Sequence, residues 1–266
     1  MENYRKNKLR IVKNNLGSLY IKEKRDCYHP VIYIGGQMEH RCHVLERLTG
    51  CTFDPGHNMF DGSWFYDYPL SGNKGDYNAA NFANNLLACI TELKLENVTL
   101  ITESAGGLVG AYATLSPRIK KVIAIHPPII GSPLANPIAL ERKKLEFSKQ
   151  MLINLTNIIV NTDYGFQKDN LQGLNLKKVN LNKLLVVSSC LNSKEEKNKL
   201  ALLCHDLILQ LTGLQSDGIV VYEPQVLANL GIDYLPNEPQ LNHFAAGSKE
   251  YIEEVYRKTL KKDIFN

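Results

Sequence analysis

Apolar positions along this chain fall into two alternating patterns. Short continuous apolar runs are followed by longer stretches whose apolar residues recur every three or four positions. The runs 9–12 and 18–21 are strand-like and close together, which predicts an early antiparallel pair. Residues 31–34 (Val-Ile-Tyr-Ile) form an unbroken apolar run ending in Gly35-Gly36, as expected of a strand covered on both faces. A helix is predicted over 40–48, then a strand over 63–68 closed by Pro69. Ala79, Phe82, Leu86, Leu87, Ile90 and Leu93 give the next segment a helical apolar face, with Asp76 placed to cap it. Strands follow over 98–102 and 122–125, separated by a small apolar helix from Ala105 through Leu108, Val109, Tyr112 and Leu115. A further strand at 184–189 and helices over 193–211 and 249–260 complete the pattern, the first beginning Ser-Lys-Glu-Glu at Ser193. This order predicts an α/β fold with a mostly parallel central sheet and helices on both faces, in a single domain over 1–266. Residues 137–183 depart from it. A charged amphipathic stretch gives way to an Asn-rich one, marking a candidate cap or lid insertion within that domain.

Composition narrows the class. With 266 residues, 44% hydrophobic and 22% charged, the chain can bury a substantial core. Its net charge of +4 is modest and its lysines are interspersed with acids, so no nucleic-acid groove is expected. No apolar run reaches the length of an integral membrane segment, and the polar N-terminal residues do not resemble a signal peptide. The six cysteines lack C-x-x-C spacing, which fits buried free thiols and a cytoplasmic location. Oligomeric state is not encoded in these features.

The candidate chemistry centres on Glu103-Ser104-Ala105-Gly106-Gly107, between a predicted strand and a predicted helix. A serine on a sharp strand-to-helix turn carries its Oγ above the sheet, and its neighbours must be small because strand and helix nearly touch. Ala105, Gly106 and Gly107 meet that need, while Thr102 stands where a first glycine is usual. The plainer role for Ser104 is a helix N-cap. Two later residues, Asp217 and His243, are candidate partners for Ser104. Asp217 precedes Gly218 and an apolar run, where it can also be only a turn residue; His243 follows Asn242. A serine hydroxyl needs an imidazole to take its proton, and the imidazole needs a carboxylate to fix its tautomer. Gly35-Gly36 at the end of a predicted strand, followed by Gln37, serve as a plain βα turn and also resemble the oxyanion-hole turn of α/β-hydrolases, a resemblance that implies backbone N–H donors at Gln37 and Ala105. His126 ends a predicted strand on the same side without an evident carboxylate beside it, and reads either as structural or as a residue that supports those of the site. His205 and Asp206 are adjacent on a helix and point apart.

Taken together, Glu103-Ser104-Ala105-Gly106-Gly107, Ser216-Asp217-Gly218-Ile219-Val220 and Asn242-His243-Phe244 resemble the nucleophile, acid and base segments of serine esterases and bacterial lipases of the α/β-hydrolase superfamily. The resemblance implies a serine hydrolase that cleaves a carboxylic ester through an acyl-enzyme. Its substrate would be a small-molecule acyl ester or acyl-thioester. The same triad also serves acyltransferases and thioesterases, and a non-catalytic binding protein on this fold is a third reading, to which Thr102 gives weight. No cofactor is implied. Calcium-binding lipases carry an acid soon after the triad histidine, whereas Phe244-Ala245-Ala246-Gly247 follows here, so no metal site is carried over.

Overall fold

The computed structural model describes residues 9–14, 17–22, 30–36, 63–68, 78–129, 131–132, 174–236 and 240–263. Gln37, the helix expected over 40–48, the cap expected at Asp76 and residues 137–173 of the candidate lid lie outside them.

The described strands form one eight-stranded sheet in the order β1-β2-β4-β3-β5-β6-β7-β8. β1 (Leu9–Asn14) and β2 (Gly17–Lys22) are the expected antiparallel pair, and β2 continues antiparallel onto β4 (Ser63–Asp67). From there every pairing is parallel: β4 with β3 (Val31–Ile34), then β3 with β5 (Val98–Glu103), β6 (Ile119–Ile125), β7 (Leu184–Ser188) and β8 (Asp233–Pro236). The chain adds β4 on one side of β3 and then crosses back to place β5 on the other. In open parallel sheets, a crevice forms beyond the strand C-termini at such a reversal. Here that puts Gly35-Gly36 and Ser104 side by side at its mouth.

Strand residues alternate between two apolar layers. Ile32, Ile34, Leu100, Val122, Ala124 and Val186 pack with Phe82 and Leu86 of α1 (Ala79–Glu92) and Leu108 and Val109 of α2 (Gly106–Ala113). Val31, Tyr33, Ile101, Ile123 and Val187 face the other way, onto Ile252 and Val255 of α6 (Lys249–Asp263). Both faces being covered explains why the strands read as unbroken apolar runs. A smaller cluster joins Cys204, Leu207 and Ile208 of α3 (Lys199–Thr212) to Val221.

Several boundaries differ from the sequence reading. α1 is capped by Asn78, whose side chain accepts the N–H of Asn81. α3 begins not at Ser193 but after Asn198, whose side chain accepts from Leu200 and Ala201; residues 193–195 form only a turn. An asparagine side chain satisfying two orphan amides is the stronger start. α4 (Pro224–Asn229) and the short β8 were not anticipated. β8 is four residues long, with Asp and Pro at its ends, and carries little strand signal of its own. Residues 174–183, the end of the candidate lid, include two single 3₁₀ turns, Leu176–Lys178 and Leu181–Lys183. Among the described residues no helix is long and apolar enough to cross a membrane.

Candidate active site

Ser104 sits between β5 and α2 with φ +50°, in the left-handed region that serine rarely occupies. It gives α2 no side-chain cap, so the N-cap reading does not hold: α2 is preceded by Ala105 without a capping hydrogen bond. The turn is held from its surroundings. The Ser104 N–H donates to Ile125 O at 2.9 Å, and Ser104 O accepts from Gly107 N at 2.9 Å. The glycines are required by contact. A Cβ on Gly106 would lie 2.5 Å from Ile34 O and 2.6 Å from Gly35 O. One on Gly107 would collide with Pro127 Cβ, and one on Gly36 would lie 2.8 Å from Ser104 Cβ. Thr102 fits because Gly110, one turn into α2, leaves space for it: a Cβ there would stand 2.7 Å from Thr102 Cγ2. A glycine missing from the strand side is thus met by one on the helix side.

The acid arrives in a tight loop. Asp217 Oδ1 accepts the N–H groups of Ile219 (2.8 Å) and Val220 (2.7 Å), while Gly218 turns at φ +101° against Ala201. The turn contacts and the histidine contacts of Asp217 therefore coexist, one oxygen serving each. The base follows. Asn242 caps the short helix α5 (His243–Ala246) by accepting from Ala245 N at 2.9 Å, and the His243 N–H donates to Asp217 O at 2.8 Å. Those two bonds orient the imidazole. Its Nε2 lies 2.8 Å from Ser104 Oγ, and its Nδ1 lies 2.7 Å from Asp217 Oδ2. The structure thus brings together three residues that the sequence spreads over 140 positions. Ser104 is partly exposed, while Asp217 and His243 are buried. Gly35, Gly36, Gly106 and Gly107 surround the turn, and Ala105 lies at the start of α2.

The electrostatics follow from burial and pairing. Burial raises the carboxyl of Asp217, but the imidazoles of His243 and His126 outweigh it and hold the group below the usual carboxylate range. Burial works against a charged His243, yet the Asp217 carboxylate and then Glu103 outweigh it and push the imidazole up. Glu103 Oε1 stands 3.6 Å from His243 Nε2. A neutral base is needed to take the serine proton, so the rate should rise only above the ordinary imidazole midpoint near ~6.5. Glu103→Gln, which removes one of the charges favouring imidazolium, should move that rise to lower pH. A pH–rate profile checks this, and an unmoved or upward-moved limb would show that Glu103 does not act on His243.

His126 corrects the sequence reading. It does have a carboxylate partner: Nδ1 lies 2.6 Å from Asp217 Oδ2, the same oxygen that faces His243. Its Nε2 is 3.4 Å from Ser189 Oγ. No local motif announces this. The signal lies in sheet register: Glu103 pairs with Ile125, so the next residues, Ser104 and His126, share one edge. His205 lies away from Ser104, with Nδ1 3.1 Å from both O and Oγ of Ser216, and so braces the acid loop. Among the described residues, His126, Asp217 and His243 are the cluster whose ligand atoms could meet a cation. Ligands on a tetrahedral zinc lie roughly 3.3 Å apart, since each sits at about 2.0–2.1 Å. Separations of 2.6 and 2.7 Å are those of hydrogen bonds.

No family model matches this sequence, and no curated protein matches it. Solved structures do match the fold. A lipase of Bacillus licheniformis in its mature form superposes with a TM-score of 0.53 at 15% identity, over 90% of this chain and 95% of the lipase. A proline iminopeptidase-related protein of Thermus thermophilus gives a TM-score of 0.54 at 14% identity, over 95% of this chain and 96% of its own. With the parallel sheet and the strand-to-helix serine turn, these likenesses show that this protein has the α/β-hydrolase fold.

Proposed function

We propose that this protein is a serine hydrolase that cleaves small-molecule carboxylic esters through an acyl-enzyme. The observation that carries the reading is the unbroken run from Ser104 Oγ to His243 Nε2 (2.8 Å) and from His243 Nδ1 to Asp217 Oδ2 (2.7 Å), on a serine held at φ +50°. The chemistry follows from the atoms. As Ser104 Oγ bonds to the acyl carbon, its proton passes to His243 Nε2. Asp217 fixes the Nδ1–H tautomer and stabilises the imidazolium. The carbonyl oxygen becomes an oxyanion, which the N–H groups of Ala105 and Gln37 are assigned to hold, at about 3 kcal/mol per donor. The imidazolium then returns the proton to the departing alkoxide. A water then attacks the acyl carbon and loses its proton to His243, which passes it to Ser104 Oγ as the acyl–Oγ bond breaks and the acid leaves. A thioester would react in the same way. The match to a lipase in fold supports a carboxylic ester as the substrate class.

Incubation with a fluorophosphonate, followed by peptide mapping, tests the reading. One adduct on Ser104 is expected, together with turnover of a short-chain p-nitrophenyl ester. An unlabelled protein of unchanged fold would instead favour a binding role.

A further inference from the structure

Asp217 offers two oxygens with about four acceptor positions, and all are occupied. Ile219 and Val220 N–H meet Oδ1, while the Nδ1 atoms of His243 and His126 meet Oδ2. An ionised carboxylate only accepts, so both imidazoles present Nδ1–H to it. His126 is fully buried and held at φ +49°, and its own N–H donates to Val187 O at 2.7 Å. On its far side Ser189 Oγ lies 3.4 Å from Nε2, donates to Leu241 O at 3.0 Å and accepts from Leu241 N at 3.3 Å. Leu241 is two residues before His243. His126 therefore stands between Asp217 and Ser189, which holds the segment leading to His243, at the strand edge next to Ser104. Ser189, His126 and Asp217 repeat the side-chain types of the first set, but Ser189 is buried and its hydroxyl is engaged by Leu241. It has no open face for an acyl group.

We propose that His126 is a positioning residue of this site. Its Nδ1–H fixes the orientation of Asp217 Oδ2 and so the tautomer and direction of His243, an effect exerted through Asp217. The inference rests on the reading of Ser104, His243 and Asp217 given above. It makes the local geometry intelligible. A buried carboxylate held on Oδ2 by His243 alone could swing about its Oδ1 anchors, and the second imidazole removes that freedom. A left-handed backbone at the end of β6 aims the ring at Asp217, and histidine and asparagine tolerate that backbone better than most residues.

The test compares His126→Ala with His126→Asn, which restores an N–H donor near the Nδ1 position. Fluorophosphonate labelling of Ser104 gives a maximal rate and a half-saturating concentration, and thermal melting reports the fold. His126→Ala should lower the maximal rate at least about tenfold with half-saturation within about twofold, since only nucleophile activation is touched. His126→Asn should recover to within about threefold of the wild type. If alanine does not fold at φ +49°, His126→Gly takes its place, because glycine adopts that backbone without strain. A donor-less variant labelling at the wild-type rate overturns the positioning role alone, as does an asparagine variant no faster than alanine. An unlabelled wild type overturns the triad, and the positioning role with it.

Discussion

Ser104→Ala should abolish ester turnover, lowering kcat by about five to six orders of magnitude, because a nucleophile and its base act as a unit. Steady-state hydrolysis of a short-chain p-nitrophenyl ester measures it, and a mutant that keeps most of its activity would remove Ser104 from the chemistry. The more discriminating comparison is with Ser104→Gly. Both variants lose the hydroxyl and its 2.8 Å contact with His243 Nε2, but only glycine relieves the φ of +50°. A non-glycine residue there is strained by about 1–2 kcal/mol, and glycine's extra freedom in the unfolded chain returns about 0.4–1 kcal/mol. Glycine should therefore melt a few degrees above alanine, at roughly 2–4 °C per kcal/mol for a chain of this size. If glycine melts below alanine, the turn is not the strained one described.

The second large effect is expected at Asp217. Asp217→Ala leaves four N–H donors, three of them buried, facing the place of the lost carboxylate, at about 1–3 kcal/mol for each buried one left unmet. It should be among the most destabilising single changes in the molecule. Asp217→Asn separates stability from activity. The amide oxygen can keep the two backbone donors, but the NH₂ then faces two imidazole nitrogens. To accept from it, His243 must carry its proton on Nε2, where it can no longer take one from Ser104. Turnover should fall by about 10⁴-fold while the fold persists. Retention of activity within tenfold would show that Asp217 does not set the tautomer. The pH dependence of stability has a definite sign. The lowered carboxyl stabilises the fold above its ordinary range near ~3.9, and that contribution is lost as pH falls through the folded value. The raised His243 stabilises it below ~6.5, and its contribution is lost as pH rises through the folded value. Both are complete between roughly pH 4 and 6.5. Melting scans across pH on the wild type and Asp217→Asn should show the acid-side loss only in the former.

The sheet was legible because strands covered on both faces must be continuously apolar. Residues 31–34 and 98–102 announce themselves in that way. The nucleophile turn was legible because contact distances force small residues at 106 and 107. Asp217 and His243 were reached through the resemblance of Ser216–Val220 and Asn242–Phe244 to the acid and base segments of lipases, since local turn chemistry alone left Asp217 a turn residue. What escaped the sequence has no local signature. β8 is made a strand by its neighbour β7, not by its own composition. Asn78 and Asn198 cap α1 and α3, where several polar residues in a row left the helix start undetermined. His126 met Asp217 across 91 positions through register alone, and no spacing rule reaches that far.

The two main-chain amides on Asp217 Oδ1 affect how the site tolerates mutation. Ile219 and Val220 hold Asp217 through N–H groups that nineteen of the twenty amino acids would supply equally well. Packing asks Val220 to stay apolar, since it is buried, but asks less of the partly exposed Ile219. Variation at position 219 can therefore accumulate without registering in turnover, with proline as the exception because it lacks the donor. Half of the acid's support is in this way written in the backbone, where side-chain replacement does not erase it.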